Sequence, residues 1–282
     1  MSDEKKIKIH ILRCGSITVS RDAVSGSGFY LPALRAATPM RERMELPVNC
    51  YLLEHPRGLI LIDSGLSRDL SPEGVYSARS ARSVLPAPLA GFYHPAVPMG
   101  QAIHEQLSAL GLSPSDLDYV FLTHLDADNV CGLRHLDGAK HILCSQEDYW
   151  WSCRTVYKLR QSQKLWLSDH METFWFKGTN VGPFIWSKDF FDDGSFTLIH
   201  LPGHTDGQYG VLLRRGQRFA FFCSDAAYDR RSWEELVVPG FGFNRESQLK
   251  CLKWIQSLSR ENGCVGIFSG HDPALTPGVV EL

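Results

Sequence analysis

No stretch of this chain is apolar for long enough to cross a bilayer, where about 20 consecutive apolar residues are needed, so a helical membrane anchor is not expected. Nor does one sign of charge dominate. Lys and Arg number 29 against 31 Asp and Glu, a formal net charge of −2, whereas a general nucleic-acid binder would carry a basic excess. The eight cysteines, at 14, 50, 131, 144, 153, 223, 251 and 264, contain no C-x-x-C pair. Scattered like this in a chain of 282 residues, they read as free thiols, several buried as small hydrophobes, and not as a disulfide framework or a structural zinc site. The opening residues MSDEKKIKIH lack the apolar segment of a secretory signal, so the expected location is cytoplasmic. No short-period repeat and no low-complexity tract interrupts a length that suits one large domain or two small ones.

What the chain does have is apolar residues, 44% of the total, enough for a substantial core. They gather in strand-like runs: KIKIHIL (6–12), VNCYLLE (48–54), GLILID (58–63), DYVFLTH (118–124), KHILCS (140–145), FTLIHLPG (196–203), YGVLLR (209–214), RFAFFCSD (218–225) and CVGIFSGH (264–271). Several are continuously apolar, as strands covered on both faces are. Between them, 98–110 reads as a helix, with Ile103, Leu107 and Leu110 on one stripe and Gly111 as its stop. A second helix is expected over 244–259, capped by Asn244, with Glu246 in the first turn and Cys251, Leu252, Ile255 and Leu258 on one face. The Trp-, Tyr- and Arg-rich segment 145–172 also reads as helical. Alternating strands and helices indicate an α/β protein with helices layered on sheets. Two stretches, 14–47 and 64–97, are rich in Ser, Pro, Gly and Arg, show no clear periodicity and read as long loops.

The polar side chains that could meet all stand at the ends of apolar strands. FLTHLDADNVCGL (121–133) runs a strand into His124, Asp126, Asp128 and Asn129. His204 follows another strand in LPGHTDG, Asp225 ends FFCSD, and His271 follows the last in FSGHD. Strand ends are where a rigid sheet can aim several loops at one point. Three His and three Asp are the ligand types of a divalent transition-metal site. Taken singly, each has a plainer reading: a hydrogen-bonded structural His, Asp63 or Asp225 capping a turn, Asn129 in a turn. The joint pattern carries the metal reading.

These motifs resemble the metallo-β-lactamase superfamily and, within it, the N-acyl homoserine lactonase branch, whose activity is quorum quenching. LPVNCYLLEHPRGLILIDSG (46–65) is similar to that branch's second and third strands, with Asp63 at the position of the fold's buried Asp. THLDADNVCG stands where the family has H-x-H-x-D-H, LPGHTDGQ resembles the later ligand loop, SDAAY the bridging Asp followed by a catalytic Tyr, and SGHD the last His. The motifs keep the family's order across nearly the whole chain. The resemblance implies a four-layer αβ/βα sandwich of metallo-β-lactamase type, a single domain over 1–282, and a metal-dependent hydrolase. It implies one metal held by His124, Asp126 and His204, a second held by Asp128, Asn129 and His271, and Asp225 between them. A hydroxide between the metals would attack a lactone or related ester carbonyl, with Tyr228 and Asp128 as the catalytic side chains and Tyr228 at the developing oxyanion.

Two positions depart from the family: Asp126 and Asn129 stand where it has His. Asp126 remains an anionic, harder ligand, whereas Asn129 offers a neutral carboxamide oxygen, weak toward zinc. Cys131, two residues on, is a substitute donor that the following Gly-Leu argues against. Zinc, one ion or two, is the expected cofactor, with Mn2+ or Fe2+ admitted by the harder set. Two other readings stay open: a degenerate binding or regulatory protein with an impaired metal centre, and another hydrolase of the superfamily, cleaving a thioester or phosphodiester. Tyr228 favours acyl chemistry, and Asn129 favours reduced activity. The expected partner is a small-molecule lactone or ester, with no nucleic acid or membrane, and the chain is a monomer or homodimer.

Three further features have two readings each. The aromatic cluster DYWWSCRTVYKLRQSQKLW (148–166) walls a substrate pocket, or else Trp150, Trp151 and Trp166 pack a helix or form a dimer face. Arg154 and Arg160 hold an anionic substrate group or sit in solvent. GFYHPAVPMG (91–100) resembles a lid or clamp loop in which His94 is a surface or pocket residue and no ligand. His135, His141 and His200 are assigned no role.

Overall fold

The computed structural model describes residues 6–24, 43–154 and 171–282. Along the chain come β1 (Lys8–Ser20), β2 (Arg43–His55), β3 (Gly58–Ile62), β4 (His94–Ala96), β5 (Tyr119–Leu122), β6 (His141–Ser145) and β7 (Met171–Phe174). They are followed by β8 (Lys177–Gly178), β9 (Trp186–Asp189), β10 (Phe196–His200), β11 (Tyr209–Arg215), β12 (Arg218–Ser224), β13 (Cys264–Ser269) and β14 (Gly278–Glu281). One eight-stranded sheet has the order β14-β1-β2-β3-β5-β6-β7, with β4 also on β1, and a six-stranded sheet has the order β13-β12-β11-β10-β9-β8.

The continuous apolar runs find their explanation in the layering. Successive side chains of a strand point to opposite faces, and here both faces are covered. Ile60 and Ile62 of β3 and Tyr51 and Leu53 of β2 meet Val211, Phe222 and Phe268 of the other sheet. Between them, Leu61 and Leu52 point outward to Leu85, Leu89, Ile103 and Leu107 of the helices on that side. On the far face, Phe219 and Phe221 of β12 pack with Trp233, Cys251, Leu252 and Ile255. The result is helices, sheet, sheet, helices: an α/β fold of four layers. Each such Leu, Ile or Phe contributes about 1.5–3 kcal/mol by burial. No helix among the described residues is long and apolar enough to cross a membrane.

The helix over Arg245–Ser259 begins where expected, and the Asn244 side chain accepts from the Ser247 amide at 3.0 Å. The other expected helix starts later, at Ile103, because Pro98–Gln101 form a turn with Gly100 at φ 83°. Its first turn is closed by Glu105, which accepts from the Ala102 amide and pairs with Arg68 at 2.6 Å.

The two stretches read as loops carry more structure than expected. β1 extends to Ser20 and β2 begins at Arg43, while 25–42 lie outside the described residues. Within 64–97 stand a 3-10 turn at Arg68–Leu70, helices at Ala78–Val84 and Ala87–Phe92, and β4. Seven and six residues give too few turns for a 3.6-residue period to register. Local capping and tertiary bonds sustain them instead: Ser77 Oγ accepts from the Ser80 amide, and the Arg68 guanidinium donates to the carbonyls of Ser71, Val97 and Pro98. The segment 145–172 is helical over Gln146–Ser152, strand over Met171–Phe174, and outside the described residues at 155–170.

Candidate metal centre

The candidate residues meet at one edge of the sandwich because β3, β5 and β6 run parallel, as do β12 and β13. After β5 the chain turns sharply. Asp126 precedes a single helical turn, Ala127–Val130, and its carbonyl accepts from the amides of Asn129 and Val130. Three groups from elsewhere hold this turn. Asp63, at φ 60°, accepts from the Thr123 amide and hydroxyl, each at 2.8 Å. Asp148 accepts from the Leu125 amide at 2.8 Å. The Ser64 amide and hydroxyl both donate to the Asn129 carbonyl, at 2.8 and 2.7 Å. At Gly132 a Cβ would lie 2.0 Å from the Ser64 carbonyl oxygen, so only glycine permits this close approach of backbones.

Each histidine is oriented through its other ring nitrogen. His204 Nδ1 donates to the Phe241 carbonyl at 2.7 Å and His271 Nδ1 to the Pro47 carbonyl at 2.8 Å. His124 Nδ1 lies 3.2 Å from Thr123 Oγ1. Such anchoring sets ring direction and leaves Nε2 for the centre. There, His204 Nε2 stands 3.0 Å from Asp126 Oδ2, and His271 Nε2 stands 3.2 Å from Asp128 Oδ2. Asp225 Oδ2 lies between the two groups, 3.4 Å from His204, 3.7 Å from His124 and 3.3 Å from His271. The side chains thus form two buried trios: His124, Asp126 and His204, and Asp128, Asp225 and His271, with ligand atoms within 4.8 Å of one another in each.

Asp225 is itself held in place. The Gln208 carboxamide oxygen accepts from the amides of Asp225 and Ala226, at 3.2 and 2.6 Å. A Cβ at Gly270 would lie 2.8 Å from Asp225 Oδ1. Tyr228, three residues on, sets its ring edge-on to His271, with centroids 4.9 Å apart, and 6.2 Å from that of His204.

Electrostatics show what the donor set can accept. Burial alone would lower His124, but Asp126, Asp225 and Asp148 outweigh it and raise the imidazole to about 9. His271 is raised likewise, against burial, by Asp225 and Asp128. Burial opposes ionisation of Asp225, yet His271, His204 and His124 hold it well below the usual carboxylate range. The carboxylates of the two trios, Asp126, Asp128 and Asp225, with Asp148 behind them, therefore attract positive charge in a buried space. His124 Nε2 and Asp225 Oδ1 are buried with no hydrogen-bond partner among the described residues. Buried polar atoms of that kind are costly unless something pairs with them. Oxygen and nitrogen donors, orphaned atoms and negative charge together fit a divalent cation.

The two departures from the family pattern are placed differently. Asp126 belongs to a trio. Asn129 is buried, with its backbone carbonyl held by Ser64, and burial pushes the nearby Asp63 carboxyl up to about 6 despite His124 and the bonds from Thr123. Burial and Asp128 keep the Cys131 thiol protonated, and it lies in neither trio. Of the remaining residues, His94 stacks on Tyr76 and bonds Arg43, and Trp150, 54% exposed, meets Trp175 edge-on at 4.8 Å. The Arg154 guanidinium covers Trp151 at 4.6 Å, while Arg160 and Trp166 lie outside the described residues. His141 pairs with Glu172, His200 with the Asp206 carbonyl, and His135 with Ser67. Sequence reasoning missed Thr123, Asp148 and Gln208. Gln208 lay inside a quoted motif, but nothing in the aromatic segment marked Asp148 as the support of the Leu125 amide.

Residues 43–261 match the Metallo-beta-lactamase superfamily, and the chain belongs to it. It is 26% identical over 237 residues to the N-acyl homoserine lactonase AttM of Rhizobium radiobacter, covering 81% of this chain and 83% of that one. An N-acyl homoserine lactone hydrolase solved with N-hexanoyl-L-homoserine at its catalytic metal centre superposes with a TM-score of 0.71, covering 94% of this chain and 93% of that one, at 21% identity. AidC, a dizinc quorum-quenching lactonase, superposes with a TM-score of 0.64, covering 99% of this chain and 96% of that one, at 14% identity. These structures establish the same fold. Membership of the superfamily implies a metal, for which the two trios are the candidate ligand groups.

Proposed function

We propose that the protein is a metal-dependent hydrolase of lactonase type, opening the ring ester of an N-acyl homoserine lactone or a related acyl ester. The observation that carries this reading is the pair of buried trios meeting at Asp225 with the Tyr228 ring against both histidine sets. His124, Asp126 and His204 would hold one zinc, and Asp128, His271 and the shared Asp225 a second. Bound there, zinc supplies Lewis acidity toward an ester carbonyl. The side chains do the rest. The Tyr228 hydroxyl donates to the carbonyl oxygen as it gains charge, which a neutral phenol suits better than it suits the spread charge of a phosphoryl group. A water oxygen adds to the carbonyl carbon, and Asp128 takes the water proton and passes it to the ring oxygen as the acyl–oxygen bond breaks, so that a hydroxy acid forms. Ser64, bonded to the Asn129 carbonyl, steadies the turn that presents Asp128.

The named lactonase relatives support this choice of substrate. Asn129, a neutral carboxamide where the family has His, supports a second reading, a binding protein on the same fold with an impaired centre. The two separate in one experiment. Zinc-loaded protein is offered N-acyl homoserine lactones, a thioester and a phosphodiester, and proton release is followed. Ring opening that a chelator abolishes is expected. Tyr228→Phe should lower it roughly a hundred- to a thousandfold with metal content retained. Bound zinc without hydrolysis of any ester would favour the binding protein.

A further inference from the structure

The ligands of the first trio come from two loops far apart in the chain. His124 and Asp126 follow β5, and His204 stands between β10 and β11. Backbone joins the two loops where the Tyr209 amide donates to the Thr123 carbonyl at 3.1 Å. Side chains join them at a second place, the corner where β6 runs into the helix Gln146–Ser152. Ser145 caps that helix. Its Oγ accepts from the Asp148 amide at 3.1 Å and donates to the Gly207 carbonyl at 2.7 Å, on the loop of His204. Ser145 and Asp148 have the spacing of a capping box, in which the carboxylate would turn back to the cap residue's own amide. Here Asp148 Oδ2 instead accepts from the Leu125 amide at 2.8 Å, between His124 and Asp126. Asp148 is fully buried, a place where a carboxylate is costly and an apolar residue would not be. The fit is close: a Cβ at Gly207 would lie 2.1 Å from the Asp148 nitrogen and 2.5 Å from Ser145 Oγ. The second trio has other supports, namely Ser64 on the turn that carries Asp128, the Pro47 carbonyl on His271 and Gln208 on Asp225.

We propose that Ser145 and Asp148 are positioning residues that clasp the loop of His124 and Asp126 to the loop of His204, and so set the zinc affinity of the first trio independently of the second. The inference rests on the metal reading of the trios and deepens it. Asp148 belongs to neither trio, so the pair act through the loops and not on a metal. Without the bond to Leu125, His124 and Asp126 lose their register with His204, and the three donors no longer converge. Groups that orient metal ligands in this way govern how tightly the site binds.

The test measures zinc affinity by chelator competition in two full-length parent proteins, His271→Ala, which keeps the first trio, and His204→Ala, which keeps the second. Asp148→Ala should weaken zinc roughly ten- to a hundredfold in the first parent, the range for removing a group that supports a metal ligand. In the second parent the affinity should not change. Asp148→Asn keeps an oxygen for the Leu125 amide and should restore most of the affinity. Ser145→Ala should weaken the first trio in the same direction, and it carries the test if a melt in chelator shows that Asp148→Ala does not fold. Unchanged affinity in the first parent overturns the inference. So does an equal loss in both parents, because the corner would then serve the fold at large. An Asp148→Asn protein as weak as Asp148→Ala also overturns it, since charge and not the bond to Leu125 would matter. A first parent that binds no zinc with Ser145 and Asp148 intact defeats the metal reading of that trio, and the inference falls with it.

Discussion

Replacing Asp225 by Asn tests whether one carboxylate serves two metal positions. Asp225 Oδ2 lies 3.3 to 3.7 Å from the Nε2 atoms of His124, His204 and His271, so it faces both trios, whereas His271 Nε2 lies against the carboxylates of its own trio, Asp128 and Asp225. A cation that binds the folded chain alone stabilises it by about 4.1 kcal/mol per site at a thousandfold excess over Kd. Unfolding entropy of about 2.1 cal/mol/K per residue gives about 0.6 kcal/mol/K for a chain this long, so each loaded trio should raise Tm by about 7 °C. Thermal melts with zinc and with a chelator, paired with elemental analysis, measure this directly. His271→Ala should forfeit one such increment and keep the other. Asp225→Asn preserves shape but removes the shared charge, and should forfeit most of the zinc-dependent shift. If Asp225→Asn keeps the wild-type shift and stoichiometry, or if His271→Ala loses all zinc, the shared-carboxylate arrangement is wrong.

Asn129→His replaces a neutral carboxamide by an imidazole nitrogen, and zinc occupancy at Asp128, Asp225 and His271 should rise; calorimetry showing no gain under saturating zinc would mean that more than ligand type limits the site. Gly132→Ala forces a Cβ toward the Ser64 carbonyl, and a loss of about 1–3 kcal/mol is expected by denaturant melts; an unchanged midpoint would show that the turn yields freely. At His55, remote in the fold and stacked on Phe191, burial pushes the imidazole down from 6.5 to about 4. The unfolded chain then takes up this proton first, so the stability tied to neutral His55 is complete above about pH 6.5 and is lost as pH falls toward 4. His55→Phe should therefore flatten the fall of Tm between pH 6.5 and 4.5, and parallel curves for the two proteins would refute the assignment.

Much of the fold was legible because most strands are buried on both faces and carry long apolar runs. GLILI and RFAFFCS needed no partner to be recognised, since their composition already demanded cover on two sides. The strands that escaped were short and exposed. KG and GVVE bury almost nothing of their own and METF buries only Phe174, so a neighbouring strand is what makes them strands. The helices of 78–92 were hidden by their brevity in the same way.

At the centre, chemistry and order were written in the chain: His124, Asp126, His204, Asp225 and His271 each follow a strand, and donors of those types at strand ends call for a metal. What no local pattern contains is direction. His204 is aimed by a carbonyl 37 positions away and His271 by one 224 positions away, and neither carbonyl has a side chain that could advertise its role. Asn129 shares its turn with Asp128, yet its backbone carbonyl is tied to Ser64, 65 positions away, while the Asp128 carboxylate faces His271. Residue type and strand pattern are local and can be read from one sequence. Hydrogen-bond direction and the desolvation that makes an unpaired atom costly arise only when distant segments close around it, so they belong to the tertiary structure.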